Sequence, residues 1–387
     1  MLSEHGHEIR VVTAPPYYPQ WRVTSGYSAW RYKSEWIGQV SVMRCPLWVP
    51  RSPTGLTRLI HLASFALSSI PALLRQVWWR PDVVLLIAPT LFCAPAAWFV
   101  ARMSGARAWL HIQDFELDAA IALGLLKSPV LQRIMRQFES FWILHFHKVS
   151  TISEAMLDRL QEKNVEPARC MLFPNWVDTR SIYPMQNPSA FRAELGISHH
   201  QVVALYAGNM GEKQGLEIII NAAQLLSDDF NLVFVIAGAG TARIRLEQMA
   251  QGMANVHWLP IQPLERMNDL LNLADIHLLP QLAGAADLVM PSKLTGMFAS
   301  GRPVVATAAR GTHLADVITD RGEVTPPGDT TGFAAAIQKL SSDPAMRHRY
   351  GINARKYAEQ HLDYLETVSR FESDLLELVK ETESRPI

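Results

Sequence analysis

Along the chain, short runs of valine, isoleucine and leucine alternate with longer stretches in which apolar residues recur at helical spacing. In the first part the runs are 8–13, 81–88, 106–112 and 147–152, each bounded by glycine, proline or charge, as buried strands are. Strands separated by helices predict βαβ units and a parallel sheet. The segment 173–189, "FPNWVDTRSIYPMQNPS", breaks the rhythm with three prolines and predicts a linker. A second alternating series follows at 202–207, 232–237, 256–259, 276–279 and 303–307, and from about 331 to 382 the pattern is helical. The fold class is therefore α/β, with two doubly wound, Rossmann-like domains over 1–178 and 190–387, the C-terminal helices belonging to the second. Two such sheets in tandem predict a cleft at the carboxyl ends of their strands.

The opening "MLSEHGHEIRVVT" reads as the last turn of a helix, a stop at Gly6 and a strand. A doubly wound domain places a strand ahead of such a helix, so the expected first strand is missing. The most apolar run, "VVLLIAPTLFCAPAAWFV" at 83–100, is divided by Pro89 and Pro95 into a strand and a helix start rather than a membrane span. The stretch 55–80, "GLTRLIHLASFALSSIPALLRQVWWR", mixes apolar residues with Arg58, Arg75 and Arg80 and ends in two tryptophans. It reads either as an interfacial membrane segment or as a core helix that Pro71 kinks or breaks.

Composition narrows the function. Lys plus Arg and Asp plus Glu are 36 each, a formal net charge of zero that gives nucleic acid no basic stripe to bind. Three well-separated cysteines, Cys45, Cys93 and Cys170, argue against a disulfide framework or a zinc site.

Candidate chemistry gathers in turns at predicted strand ends. "LYAGNMGEKQGLE", 205–217, runs from a buried strand through a turn bounded by Gly208 and Gly211, with Asn209 inside it, and opens a helix that carries Lys213. Small residues and unpaired N–H groups at a fresh helix suit an anion, phosphate first of all. "IAGAGTAR", 236–243, brings Gly238 and Gly240 to a similar turn, and "PSKLTG" puts Ser292 and Lys293 at another helix start. Lys213 and Lys293 together match the charge of a diphosphate. In the first domain "WLHIQDFELDAA", 109–120, ends a strand with His111 and Asp114, placed for acid/base or sugar-hydroxyl contacts. The bland reading makes His111 a core residue and Asp114 a helix cap.

Four stretches in this order, "EHGHEIRVVT", "FPNWVD", "AGNMGEKQGLE" and "PSKLTGMFASGRPVVAT", resemble the retaining glycosyltransferases of family 4, which have the GT-B fold of two facing Rossmann-like domains. More closely, the chain resembles the colanic-acid biosynthesis glycosyltransferases of enterobacteria. The resemblance implies sugar transfer from a nucleotide-sugar donor, a GDP-sugar such as GDP-fucose or a UDP-sugar, to a lipid-linked oligosaccharide acceptor at the cytoplasmic face of the inner membrane. It implies no metal or other cofactor, Lys213 as the diphosphate-binding lysine, and front-face displacement in which His111 and Asp114 orient acceptor or donor sugar. Two departures stand out. The family's paired glutamates fall at Leu288 and Gly296, leaving Asp287 to take over a ribose contact, and an arginine usual near Asn209 is absent, with Lys293 in its place. The alternatives are a nucleotide-sugar epimerase of the same fold and an inactive nucleotide-sugar-binding fragment.

Overall fold

A computed structural model describes residues 1–18, 20–51, 55–88, 91–115, 117–118, 121, 128–211, 214–282 and 290–383. The chain divides into two compact units, one made of Met1–Phe173 with Val368–Ile387, the other of Pro174–Thr367.

The first unit has strands β1 (Arg10–Thr13), β2 (Lys33–Ile37), β3 (Val40–Arg44), β4 (Val83–Ala88), β5 (Arg107–Ile112), β6 (Lys148–Thr151) and β7 (Cys170–Leu172). They form two sheets, in the orders β1-β3-β2 and β4-β5-β6-β7, rather than the single doubly wound sheet expected. All pairings are parallel except that of β2 with β3. Among the described residues β1 pairs only with β3 and β4 only with β5, which keeps the sheets separate. The hydrophobic pattern predicts β1, β4, β5 and β6 but misses the β2–β3 hairpin. "KSEWI" shows no apolar face, and what holds it is tertiary: Arg44 Nε donates to Glu35 at 2.8 Å while Arg44 Nη1 donates to the Ala14 carbonyl at 3.0 Å. The run 83–100 does divide as its prolines predict, into β4 and the helix Ala94–Ser104. Pro71, by contrast, lies inside the helix Gly55–Leu74 without ending it.

The end of the chain corrects the domain boundaries. The helix Tyr364–Glu383 was expected wholly in the second domain, but from Val368 onward it belongs to the first unit. The cause is apolar: Phe371 and Leu378 form a buried cluster with Trp109 of β5, and Phe371 stacks on Phe173 with centroids 4.3 Å apart. Glu372, one residue on, receives His5 Nδ1 and His7 Nε2, each at 2.7 Å, which gives the "EHGHE" opening a structural use.

The second unit holds β8 (Val202–Ala207), β9 (Leu232–Ala237), β10 (Val256–Leu259), β11 (Ile276–Leu279), β12 (Val304–Thr307) and β13 (Gly322–Thr325). Their order, β10-β9-β8-β11-β12-β13, all parallel, is that of a dinucleotide-binding fold, with the reversal between β8 and β11. "VVALYA" and "LVFVIA" are continuously apolar because both faces are covered. Ala204, Tyr206, Phe234 and Ile236 face one cluster, and Val203, Leu205, Val233 and Val235 face another. The proline-rich 174–189 is no free spacer. Arg355 donates to the carbonyls of Thr179 and Ile182, and Asn272 bonds Tyr183 and Met185, so the segment is laid along the second unit.

Phe371→Ala should cost about 3–5 kcal/mol, because it opens a cavity between Trp109 and Phe173. Thermal unfolding followed by tryptophan fluorescence would read this as a drop in Tm of the first unit.

Candidate functional site

The switch between β8 and β11 is where an open α/β sheet leaves a crevice for a ligand. Two turns meet beside it. The turn after β8 and the turn after β9 are zipped by backbone bonds: Gly208 N–H donates to Ala237 O (3.0 Å), Met210 N–H to Ala239 O (2.8 Å) and Ala242 N–H to Met210 O (2.9 Å). This approach explains the glycines. A Cβ at Gly238 would overlap the Gly208 carbonyl, and one at Gly240 would overlap the Met210 backbone. Gly238 also has φ +137°, which L side chains rarely adopt. Gly238 and Gly240 thus make room for the neighbouring turn of the chain itself. Arg243 closes the back of the loop, with Nη1 donating to Gly238 O at 2.6 Å and Nε to Glu247 at 2.7 Å.

Onto this platform comes Lys293, the first residue of the helix Lys293–Ala299. Its Nζ lies where a side chain on Gly208 would begin, 3.0 Å from an ideal Cβ there. It donates to the Tyr206 hydroxyl at 2.7 Å and sits 4.3 Å above the centre of the Tyr206 ring. Among the described residues no carboxylate forms an ion pair with it. Burial without a counter-charge pushes its pKa down to about 8. The site therefore holds a cation poised for an anion.

The other expected donor-side residues are distributed around it. The Asn209 carbonyl accepts from Tyr206 at 2.6 Å, and Ser292 is exposed at the start of the Lys293 helix. Lys213 and Asp287, and with them the glutamate position at Leu288, lie outside the described residues. Gly296 is enclosed: a Cβ there would stand 3.2 Å from Leu271 Cδ1, so a longer side chain would require Leu271 to move. Across the switch point Gln281 is fixed to β12 by Thr307, whose Oγ1 accepts from Gln281 N–H at 2.7 Å and donates to its carbonyl at 2.8 Å. The hydrophobic pattern conceals Tyr206 and Thr307, which read as strand residues. Only the pairing of strands shows that their hydroxyls reach the turns.

In the first unit the structure places His111 in the core, 2 % exposed. Its Nδ1 is 2.9 Å from Ser150 Oγ, which accepts from Trp109 Nε1 at 2.8 Å, and its Nε2 is 2.8 Å from the Gln113 amide. Burial takes the imidazole pKa down to about 4, so the ring is neutral at pH 7. Both nitrogens have partners, which tie the ring to Ser150 of β6 and to Gln113 at the end of β5. Asp114, half-buried, follows at that strand end. Of the carboxylates beyond it, Asp118 joins an ion cluster with Arg159 (3.3 Å) and Lys163 (3.1 Å), and Lys163 in turn reaches the buried Glu139 at 2.6 Å. Glu116 lies outside the described residues.

Comparison with known proteins identifies the family. The family model described as "Glycosyl transferase 4-like domain" matches residues 1–176, and "Glycosyl transferases group 1" matches 201–343. The putative colanic acid biosynthesis glycosyl transferase WcaI of Escherichia coli K12 is 41% identical over 384 residues, covering 97% of this chain and 93% of that protein. Among solved structures, sucrose-phosphate synthase from Thermosynechococcus elongatus superposes with a TM-score of 0.76 at 16% identity, covering 98% of this chain and 91% of that one. Anabaena HepE in complex with UDP does so with a TM-score of 0.64 at 16% identity, covering 87% and 86%. The fold is that of a GT-B glycosyltransferase. The chain belongs to the glycosyl transferase group 1 family, with a glycosyl transferase 4-like domain as its first part, and it is a glycosyltransferase.

Gly238→Ala should unfold or strongly destabilise the second unit, since the obstacle is backbone and the φ is unfavourable. Gly252→Ala, where φ is also positive (+84°) but a Cβ meets open space, is the control that isolates the backbone clash. Tm values of the two purified variants test this: equal losses would reject the zipped-turn account.

Proposed function

We propose that the enzyme transfers a sugar, with retention of anomeric configuration, from a nucleoside-diphosphate sugar to a lipid-linked oligosaccharide in exopolysaccharide synthesis, colanic acid being the product class that the WcaI relationship favours. The observation that carries this reading is the Lys293 ammonium, lodged against Gly208 at the switch point with a hydroxyl but no described carboxylate for company. As the bond between the anomeric carbon and the diphosphate breaks, charge grows on the leaving phosphate. A fixed cation beside it stabilises that charge more in the transition state than in the ground state. A unit charge 4 Å away is worth about 4 kcal/mol at an effective dielectric near 20, enough to matter without a resident metal. In the front-face displacement the acceptor oxygen bonds to the anomeric carbon on the face the diphosphate leaves, and the acceptor proton passes to the departing phosphate oxygen. Lys213 is proposed as a second cation, with Asn209 and Ser292 bordering the donor and Asp287 as the ribose contact. Asp114 is proposed to orient sugar hydroxyls, and His111 to hold the strand end that carries it. The UDP complex of HepE supports a nucleotide donor, and a GDP-sugar such as GDP-fucose is the alternative to a UDP-sugar.

Two arms separate these elements by calorimetry with GDP and UDP. Lys293→Met should raise the Kd of the preferred nucleotide roughly 10- to 100-fold, the usual worth of a hydrogen bond to a charged group. In the wild type, affinity should be full below pH 8 and fall as pH rises past it, because the free enzyme's lysine loses its proton there; the variant should lack this fall. Unchanged affinity in Lys293→Met would reject the phosphate role.

Contact with the acceptor's membrane is proposed for the first unit. The stretch Thr57–Trp79 is long and apolar enough to cross a bilayer by length and composition. Leu67 (68 % exposed) and Trp78 (81 %) face outward, whereas Trp79 is covered by Arg10, its guanidinium 4.3 Å from the ring centre. An apolar residue and an exposed indole beside arginines suit the headgroup level of an anionic membrane. Co-sedimentation with phosphatidylglycerol-containing liposomes should fall in a Leu67→Ser, Trp78→Ala variant; equal binding would reject the contact.

A further inference from the structure

Tyr206 is an unusual choice for a central strand. It is fully buried, in the middle of the parallel sheet, at a position where phenylalanine would fill the same space without bringing a hydroxyl out of water. Among the described residues its hydroxyl makes two contacts. The proton goes to the Asn209 carbonyl at 2.6 Å, which leaves the oxygen's lone pairs to accept from Lys293 Nζ at 2.7 Å. One atom of the core thereby touches both parts of the donor site, the turn after β8 and the cation from the helix Lys293–Ala299.

We propose that Tyr206 is a positioning residue of the donor site, its hydroxyl setting the spacing between the Lys293 ammonium and the turn 208–211 so that both meet the donor diphosphate together. This rests on the reading that Lys293 binds donor phosphate. Three features give it content. Lysine has four rotatable bonds and a point charge, so without an anchor its ammonium samples many places. The ring face adds a second attraction, with Nζ 4.3 Å from the centroid. An ammonium has three donors; Tyr206 takes one, and among the described residues no acceptor takes the others. The bond from ammonium to hydroxyl also favours the charged lysine, against the burial that disfavours it.

Tyr206→Phe removes the hydroxyl and keeps the ring. Titrated with GDP and UDP, it should weaken binding of the preferred nucleotide roughly tenfold, as expected for one charge-assisted hydrogen bond. It should also move the pH above which affinity falls to a value below the wild type's. A merely structural tyrosine would lower Tm and leave that pH unchanged. The double variant Tyr206→Phe, Lys293→Met guards against a general folding defect: beyond Lys293→Met it should lose no further affinity, since the hydroxyl acts through the lysine. Additive losses, or a Tyr206→Phe variant with wild-type affinity and pH dependence, would overturn the positioning role while leaving Lys293 as a phosphate ligand. Wild-type binding in Lys293→Met would overturn both.

Discussion

Two carbonyl groups govern the second unit. Gly208 O and Met210 O occupy the space in which side chains of residues 238 and 240 would begin, so the turns after β8 and β9 pack backbone on backbone. Glycine is the only residue that permits this at Gly238, where the space is filled and φ is +137°. Everything at the candidate site inherits that closeness. Gly208 in turn leaves a notch, the Lys293 amine fills it, and the Tyr206 hydroxyl pins the amine. A cation at a strand end would ordinarily be solvated or paired. Here burial depresses its pKa, and among the described residues no carboxylate pairs with it, an electrostatic state that favours an arriving phosphate.

The first unit answers to a different constraint, the burial of polar groups beside a large aromatic. Trp109 is fully buried, and its indole N–H needs an acceptor, which Ser150 provides; Ser150 then serves His111, and Gln113 completes the ring's bonds. The same indole packs against Phe371, so the satisfied network and the docking of the C-terminal helix share one residue. A histidine at a strand end is placed for chemistry by topology, but here hydrogen bonding has claimed both nitrogens. Asp114, two residues beyond β5 (Arg107–Ile112), lies past that buried network.

Much of this was legible in the residues. The continuous apolar strands "VVALYA" and "LVFVIA" announce a sheet covered on both faces, and Pro89 and Pro95 divide the most apolar run as read. Gly208, Gly238 and Gly240 are visible as special turns, and Lys293 as a lysine at a helix start. Less legible was what each glycine makes room for. A ligand and a neighbouring turn ask the same of the local sequence, and only the register of β8 with β9 tells them apart. The strand β2, held by Arg44 of β3, had no apolar periodicity to reveal the hairpin. The final helix looked continuous with the second domain because its amphipathic repeat says that it packs, not on what.

By itself the sequence determined the class: period-2 and continuous apolar runs, glycine turns and helix starts are local properties, set by the side chains and backbone freedom of a few neighbouring residues. Tertiary structure decided the site. Tyr206 and Lys293 are 87 positions apart and His111 and Ser150 are 39 apart, and no local pattern encodes such pairs. Their meeting depends on strand order and on which face each strand turns to its neighbour, and these are fixed only when the whole sheet has assembled.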